Sequence, residues 1–259
     1  MKNKRKLNRV KLLALLLFYL AVFFLSFPII KQLAYITTIS TMKYQEISSL
    51  NKLKEIPFEA VQPLSVQEVL ALDNPESPAI GFLSMESVDL AVPIFPGISD
   101  INMGYGAAAA YPERDPEKQN IALLGHHIAY DKLLFGKIVD AKVGDSIEMV
   151  YLGKAYSYRV TKVKSVSETA VEYMEDKPAH TITLITCDHS TSQTDRRVVV
   201  VGELQKTTTK QATIKSIKAK QQTLVKQNRK LYWTRLILLV SILLLVLIGG
   251  TVLICKLRL

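Results

Sequence analysis

Two long uncharged apolar runs, one near each end of the chain, constrain the fold more than any other feature. Residues 12–30 (LLALLLFYLAVFFLSFPII) and residues 236–255 (LILLVSILLLVLIGGTVLIC) contain 19 and 20 residues without a charged side chain. A helix of that length crosses roughly 30 Å of hydrocarbon. Neither run has the polar face that a helix on a soluble core would carry. We therefore predict two transmembrane helices.

The charges around the first run predict its orientation. Residues 1–11 hold six Lys or Arg and no acid, and no small-residue cleavage site closes the apolar run. This favours an uncleaved anchor with a cytoplasmic N-terminus over a secretory signal peptide. The middle of the chain is then extracytoplasmic, and the second run returns residues 256–259 to the cytoplasm. Nine Lys or Arg in residues 206–235 argue against this orientation, but charges beside a long translocated domain count for less.

The net charge of +10 is concentrated beside the two apolar runs. Residues 1–11, 206–235 and 256–259 together hold 17 of the 33 Lys and Arg and none of the 23 acidic residues. The rest of the chain is therefore net acidic, which excludes a basic nucleic-acid-binding domain. The flanking positive charge can contact anionic lipid headgroups, or it can simply be solvated.

Between the apolar runs, the sequence predicts a stalk, an irregular lead-in and one β domain. Residues 31–55 are typical of a partly helical stalk, and four prolines in residues 56–78 indicate an irregular lead-in. Seven β-branched or aromatic runs then predict strands, at residues 79–83, 88–95, 121–126, 146–152, 155–166, 181–187 and 197–204. Short strands without a long amphipathic helix favour an all-β barrel or sandwich of about 130 residues.

The segment after the β domain predicts a helical stalk that enters the second apolar run. Residues 206–231 place apolar side chains at near-helical spacing, but the stripe is weak because Gln221 and Asn228 interrupt it. Tyr232 and Trp233 follow, where interfacial aromatic residues are expected.

A cysteine at the end of an apolar strand suggests the chemistry. Cys187 closes the run TITLITC, whereas Cys255 lies in the second apolar run and cannot pair with it. An unpaired thiol in an exported domain favours a nucleophile, and a small buried core residue is the alternative.

A nucleophilic thiol needs a proton carrier and a positive group near the developing oxyanion. The candidate proton carriers are the four histidines, His126, His127, His180 and His189, and the candidate positive groups are two adjacent arginines. Gly125 precedes His126 and His127, and Arg196 and Arg197 lead into a run of valines. Adjacent residues of a strand point to opposite faces, so one member of each pair can face the cysteine. Spacing alone does not say which.

Together these motifs resemble the sortases, surface transpeptidases of Gram-positive bacteria. The resemblance extends from about residue 79 to residue 204 and rests on TLITC, LLGHH, PIFPGIS, KVGDSIEMVY and an arginine before an apolar strand. It implies an eight-stranded β-barrel with short helices, flanked in this chain by N- and C-terminal transmembrane helices.

The resemblance also implies the roles of the site residues. Cys187 matches the nucleophile, and His126, directly after the glycine, matches the catalytic histidine. Arg197 matches the catalytic arginine because Gly202 follows it by five residues, with Arg196 as the alternative. Thr186 is expected to border the substrate groove.

In the implied reaction, the cysteine thiolate attacks the Thr–Gly carbonyl of a Leu-Pro-x-Thr-Gly-type sorting signal. An amine from a cell-wall precursor then resolves the thioester. The implied partners are surface proteins with C-terminal sorting signals, a cell-wall precursor or pilin amine, and membrane lipids, but no nucleic acid. The implied location is the cell membrane, with two spans and an extracytoplasmic catalytic domain.

Departures from the family pattern bear on the subclass and on calcium. A second span is more typical of class C, the pilin polymerases, but their lid motif of Asp-Pro with an aromatic is matched only by Asp73-Asn74-Pro75. We therefore favour a class A-like catalytic domain with an added C-terminal span. A pilin polymerase is the alternative, and a hydrolytic cysteine peptidase or a non-catalytic tethered β-domain is more distant. Lys118 stands where calcium-activated relatives carry an acid, so no metal or other cofactor is expected.

The predicted segments are a basic cytoplasmic N-terminus (1–11), a transmembrane anchor (12–30), a stalk and lead-in (31–78), a sortase catalytic β-barrel (79–205), a basic stalk (206–235), a transmembrane helix (236–255) and a cytoplasmic tail (256–259).

Overall fold

The computed structural model describes residues 2–41, 44–53, 55–61, 75, 77–128, 133–176, 180–189 and 194–256. The helices and strands along the chain are α1 Lys2–Thr41, β1 Gly81–Met85, β2 Leu90–Pro96, α2 Asp100–Tyr105, β3 Ala107–Ala109, β4 Ile121–Leu124, β5 His127–Ile128, β6 Leu133–Leu134, β7 Ser146–Tyr151, β8 Lys154–Ser167, β9 Thr181–Cys187, β10 Arg196–Thr208 and α3 Gln211–Lys256. Short 3₁₀ helices lie at Leu50–Lys52, Glu86–Val88, Phe135–Asp140 and Val171–Tyr173. The chain divides into two compact units, Met1–Thr37 with Arg229–Leu259, and Thr38–Asn228.

The first unit consists of most of α1 and the C-terminal half of α3. The hydroxyls of Tyr19 and Thr251 lie 2.9 Å apart, and the ring of Phe18 fills the space over Gly250, where a Cβ would stand 2.3 Å from its Cζ. Most other apolar side chains of these helices are exposed. Both helices are long and apolar enough to cross a membrane, and they contain the two predicted spans. They are therefore compatible with membrane anchoring.

The second unit is built on a closed barrel of eight strands in the order β1-β2-β3-β4-β9-β10-β8-β7, with β7 paired back to β1. Neighbouring strands are antiparallel except for the pairs β2–β3 and β4–β9, which are parallel. β5 and β6 form a separate two-stranded sheet. The prediction of an all-β, eight-stranded barrel with short helices is confirmed.

The barrel is closed around an apolar core to which most of its strands contribute. Leu83, Ile94, Met149, Leu184 and Val200, from five different strands, have no exposed surface. Burying a side chain of this size contributes about 1.5 to 3 kcal/mol. β4 (IALL) reads as a continuous apolar run, in keeping with the burial of three of its four residues.

The structure differs from the predicted strands in several places, and it contains the short strands β5 and β6, which the sequence does not predict. The sequence does not predict α2 or the strand Ala107–Ala109, since three alanines carry no strand preference. The predicted strand 121–126 is too long, because β4 ends at Leu124. β10 continues to Thr208, so the predicted stalk that begins at residue 206 overlaps the last strand.

Part of the predicted irregular lead-in is fixed to the barrel. Phe58 forms a parallel bridge with Ile98, and the amide of Ile98 donates to the carbonyl of Pro57 over 2.8 Å. Gly97 allows this close approach, since a Cβ there would lie 2.2 Å from the Pro57 oxygen and its φ is +74°. Residues 62–74 and 76 of the lead-in lie outside the described residues.

Candidate active site

The pairing of β9 with β10 places one of the two adjacent arginines beside the cysteine. Cys187, the last residue of β9, is directly opposite Arg197. Opposed residues of an antiparallel pair project from the same side of the sheet, so Arg197 shares the face of Cys187. Arg196 projects from the other face, where its Nε and Nη2 donate to the hydroxyl and carbonyl of Ser165 over 2.9 and 3.0 Å.

The guanidinium of Arg197 is oriented by several acceptors. Its Nη1 donates to the carbonyls of Thr194 and Arg196 over 2.9 and 3.1 Å, and its Nη2 lies 3.0 Å from Oε2 of Glu168. The side chain remains 28% exposed. A fixed, partly accessible positive charge therefore stands on the face of the cysteine.

The parallel pairing of β4 with β9 brings the histidine segment to the same end of the barrel. Leu124 is level with Ile185, and the amide of Gly125 donates to the Ile185 carbonyl over 3.1 Å. The paired residues end at Leu124, and extending the same register by two residues would bring His126 level with Cys187.

The two adjacent histidines have different surroundings. His126 is 93% buried, and its Nε2 lies 4.0 Å from Oδ1 of Asp100, the first residue of α2; this contact becomes an ion pair when the imidazole is protonated. The Nδ1 of His127 lies 3.0 Å from the carbonyl oxygen of Cys187. His127 is thus tied to the cysteine main chain, whereas His126 lies beside a carboxylate.

Two glycines allow the 3₁₀ helix Phe135–Asp140 to pack against the histidines. A Cβ on Gly125 would stand 2.5 Å from the ring of Phe135, and a Cβ on Gly136 would stand 2.5 Å from Cδ2 of His127. No side chain fits at such distances, so both positions require glycine. The 3₁₀ helix forms a wall behind the histidine segment.

Thr186 connects the strands rather than facing solvent. Its side chain is 98% buried, and its hydroxyl donates to the carbonyl of Gly125 over 2.8 Å. This bond fixes the glycine that precedes His126. A contact between Thr186 and substrate stays a prediction.

The surroundings of the Cys187 thiol act on its pKa in opposite directions. Burial raises the pKa above its ordinary value, while the positive charge of Arg197 lowers it. The nearby carboxylates of Asp188 and Glu168 add to the rise, and the net shift is upward. The neutral thiol therefore predominates at neutral pH, and forming the reactive thiolate requires a proton acceptor.

A second polar cluster fixes the segment before the cysteine strand. Arg114 donates to the carbonyls of Asn120 and Met174 over 3.1 and 2.7 Å, and its guanidinium lies 3.9 Å from the centre of the Tyr111 ring. The side-chain amide of Asn120 donates to the carbonyl of Tyr173 over 3.0 Å. These bonds hold the segment that precedes residues 177–179, which lie outside the described residues.

Sequence reasoning did not find Asp100, Arg114 or Asn120. Each lies in a loop or at the start of a short helix, where a polar residue carries no signal of its own. Within the described ranges, no group of three or more His, Cys, Asp or Glu side chains is gathered in a way that could hold a metal ion.

Residues 83–205 match the sortase domain family. Sortase A of Listeria monocytogenes is 32% identical over 205 residues, which are 76% of this chain and 92% of that protein. Sortase A of Bacillus anthracis is 29% identical over 174 residues, covering 67% of this chain and 80% of that protein. The alignment with the crystal structure of Listeria monocytogenes sortase A covers 50% of this chain and 88% of the crystallised chain, with 38% sequence identity and a TM-score of 0.48. The chain therefore belongs to the sortase family, whose known members are cysteine transpeptidases.

Proposed function

We propose that Cys187, His126 and Arg197 form the catalytic site of this sortase. The observation that supports the proposal is the register of three neighbouring strands. β9 pairs Cys187 with Arg197 on one side, and the continued β4 register leads to His126 on the other. Acyl transfer needs a nucleophile, a proton carrier and a hydrogen-bond donor for the oxyanion, and these three side chains supply them.

In the proposed reaction, the imidazole of His126 accepts the thiol proton and the thiolate of Cys187 attacks the threonine carbonyl of the sorting signal. The guanidinium of Arg197 donates hydrogen bonds to the tetrahedral oxyanion. The carbon–nitrogen bond then breaks, and His126 returns the proton to the departing glycine amine, which leaves a thioester on Cys187. A second amine attacks the thioester, loses a proton to His126 and regenerates the thiol.

The proposed substrates are surface proteins with a C-terminal Leu-Pro-x-Thr-Gly-type signal, and the proposed acceptor is an amine of a cell-wall precursor. The similarity to two proteins named Sortase A supports this class A-like assignment. The two long apolar helices support anchoring in the cell membrane by two spans, with the barrel on the extracytoplasmic side. The basic segment 206–235 would lie near anionic lipid headgroups.

Intact-mass measurement on the full chain in detergent micelles tests the proposal. After incubation with a Leu-Pro-x-Thr-Gly peptide, we expect a covalent adduct with the mass of the peptide up to threonine. The adduct should be absent in Cys187→Ala. A folded wild-type protein without the adduct, whose Cys187 also resists alkylation, would instead indicate a tethered non-catalytic β-domain.

The amine that discharges the adduct identifies the acceptor class. Wall anchoring predicts faster discharge by an oligoglycine or another cell-wall-type amine than by a peptide lysine. The second apolar helix is the feature that this chain shares with pilin polymerases, and faster discharge by a pilin-derived lysine would favour that assignment. Discharge by water alone would indicate a hydrolytic peptidase.

A further inference from the structure

The first half of α3 is attached to the barrel by apolar contacts and by buried polar side chains. Ile214 packs against Val150 and Ala155. Farther along the same face, Gln221 and Asn228 are 98% and 91% buried. The two residues that weaken the apolar stripe in the sequence are therefore contact residues. Buried polar side chains of this kind fix the register of a helix against its neighbour.

Gln221 and Asn228 contact different parts of the barrel. The amide of Gln221 donates to the hydroxyl of Ser84 in β1 over 3.2 Å. Asn228, the last residue of α3 within the barrel unit, donates from Nδ2 to the carbonyl of Asp89. Its Oδ1 accepts a hydrogen bond from Nζ of Lys137 over 3.1 Å.

Asn228 belongs to a closed network of hydrogen bonds that also includes Lys137, a residue close in sequence to the proposed catalytic site. Nζ of Lys137 also donates to the carbonyl of Asp89 over 2.9 Å, so Asn228, Asp89 and Lys137 are each bonded to the other two. Lys137 belongs to the 3₁₀ helix Phe135–Asp140. The network therefore joins α3 to the wall behind the histidine segment.

The 3₁₀ helix Phe135–Asp140 contacts the histidine segment at Gly125 and at His127. The ring of Phe135 lies against Gly125, and Gly136 lies against the ring of His127. Leu134, the residue before the helix, pairs with His127 and has a φ of +50°, an unfavourable value for leucine that the surrounding contacts must hold in place. A shift of this helix would move the histidines.

We propose that Asn228 and Lys137 are positioning residues of the catalytic site. α3 is then part of the catalytic unit, since it holds the 3₁₀ helix Phe135–Asp140 and, through it, His126 and His127. This inference rests on the proposed role of His126. It assigns a function to the segment after the barrel that differs from a spacer or a lipid contact.

The test uses the full chain in detergent micelles and a matched pair of variants. Asn228→Leu removes two of the three bonds of the network and leaves only the bond from Lys137 to the Asp89 carbonyl, while Gln221→Leu removes the other buried polar contact of the same helix and leaves the network intact. Displacements of about 1 Å can cost a hundredfold in rate, so we expect Asn228→Leu to lower kcat for transpeptidation on the order of tenfold. The KM for the peptide should stay within about twofold, because the substrate contacts are unchanged. Gln221→Leu should leave kcat unchanged.

Two further variants approach the network from the barrel side. Lys137→Met should lower kcat like Asn228→Leu, and Lys137→Arg, which keeps a charged donor, should restore most of it. Equal loss of kcat in Asn228→Leu and Gln221→Leu would overturn the proposal, because any damage to helix docking would then suffice. Unchanged kcat in Asn228→Leu would overturn it as well.

Hydrogen exchange separates this inference from the proposed function, since it requires no turnover. Amides of residues 121–128 and 133–140 should exchange about tenfold faster in Asn228→Leu than in Gln221→Leu. Equal exchange in the two variants would overturn the positioning role, even in an active enzyme. Absence of an acyl adduct in the wild type would overturn the proposed function without affecting this comparison.

Discussion

The two pairs of adjacent identical residues beside the cysteine strand, Arg196-Arg197 and His126-His127, are placed by different means. On the arginine side, the hydrogen-bonded ladder between β9 and β10 continues to Cys187, so the register alone decides which arginine shares its face. On the histidine side, β4 ends two residues before His126. Beyond the end of β4, packing against the 3₁₀ helix Phe135–Asp140 positions the histidine segment.

The arginine and histidine positions should therefore respond differently to mutation. A ladder position tolerates changes around it, since main-chain bonds persist when a side chain is lost. A position fixed by packing depends on each neighbouring side chain. The proposed proton carrier is therefore the more sensitive of the two partners of Cys187.

The largest contrast is expected between the two histidines. General acid–base catalysis contributes about 10²- to 10⁴-fold, so His126→Ala should reduce kcat/KM for transpeptidation by about a thousandfold. His127→Ala removes one hydrogen bond to the Cys187 carbonyl, and we expect about a tenfold loss. Steady-state kinetics with a sorting-signal peptide measures both. A larger loss of kcat/KM in His127→Ala would mean that His127, and not His126, carries the proton.

A smaller contrast is expected between the two arginines. Loss of an oxyanion donor typically costs 10²- to 10³-fold, so Arg197→Ala should lower kcat by about a hundredfold. Arg197→Lys should recover little, because an ammonium does not reproduce the planar donor geometry. Arg196→Ala removes only side-chain contacts to Ser165, on the face opposite to that of Cys187, and kcat should change by less than about twofold. A hundredfold loss in Arg196→Ala would contradict the register argument.

The same contrast explains how far the sequence could predict this molecule. The TITLITC run predicts β9 over its whole length and the RVVVVGEL run predicts β10 up to residue 204, because long β-branched runs carry a strong strand signal. Strand alternation alone leaves Arg196 and Arg197 both open, so the sequence favours Arg197 only through the family resemblance at Gly202, and the register between these strands supplies the physical reason. The surroundings of the histidine segment depend on Asp100, which lies beside His126, and on Phe135, which lies against Gly125, and only the closed barrel brings these residues together. Asn228 reads in the sequence as a defect of the apolar stripe, since its partners are about 90 to 140 residues away.

The smallest expected effects concern the charges that act on the Cys187 thiol. Only the thiolate reacts with an alkylating agent, so the reaction rate rises with pH and levels off above the thiol pKa. Because burial raises that pKa, the midpoint should lie above that of an ordinary cysteine.

Arg197→Gln removes the lowering charge and should shift the midpoint further up, which slows alkylation at neutral pH. Glu168→Gln removes a raising charge and should shift it down. Glu168 is half exposed, so solvent screens its charge and the rate should rise only about twofold.

Alkylation by iodoacetamide, followed by mass spectrometry of the Cys187 peptide in a Cys255→Ala background, measures these midpoints. Glu168→Ala serves as a second variant, since it removes the charge without leaving an amide that could bond to Arg197. Opposite shifts for Arg197→Gln and Glu168→Gln would show that the arginine acts on the thiol through its charge. A downward shift in both would mean that Arg197 affects the thiol mainly by burying it. The strand register would then place Arg197 so that it shields the cysteine from solvent. Its proposed role as oxyanion donor would be supported only by the loss of kcat in Arg197→Ala.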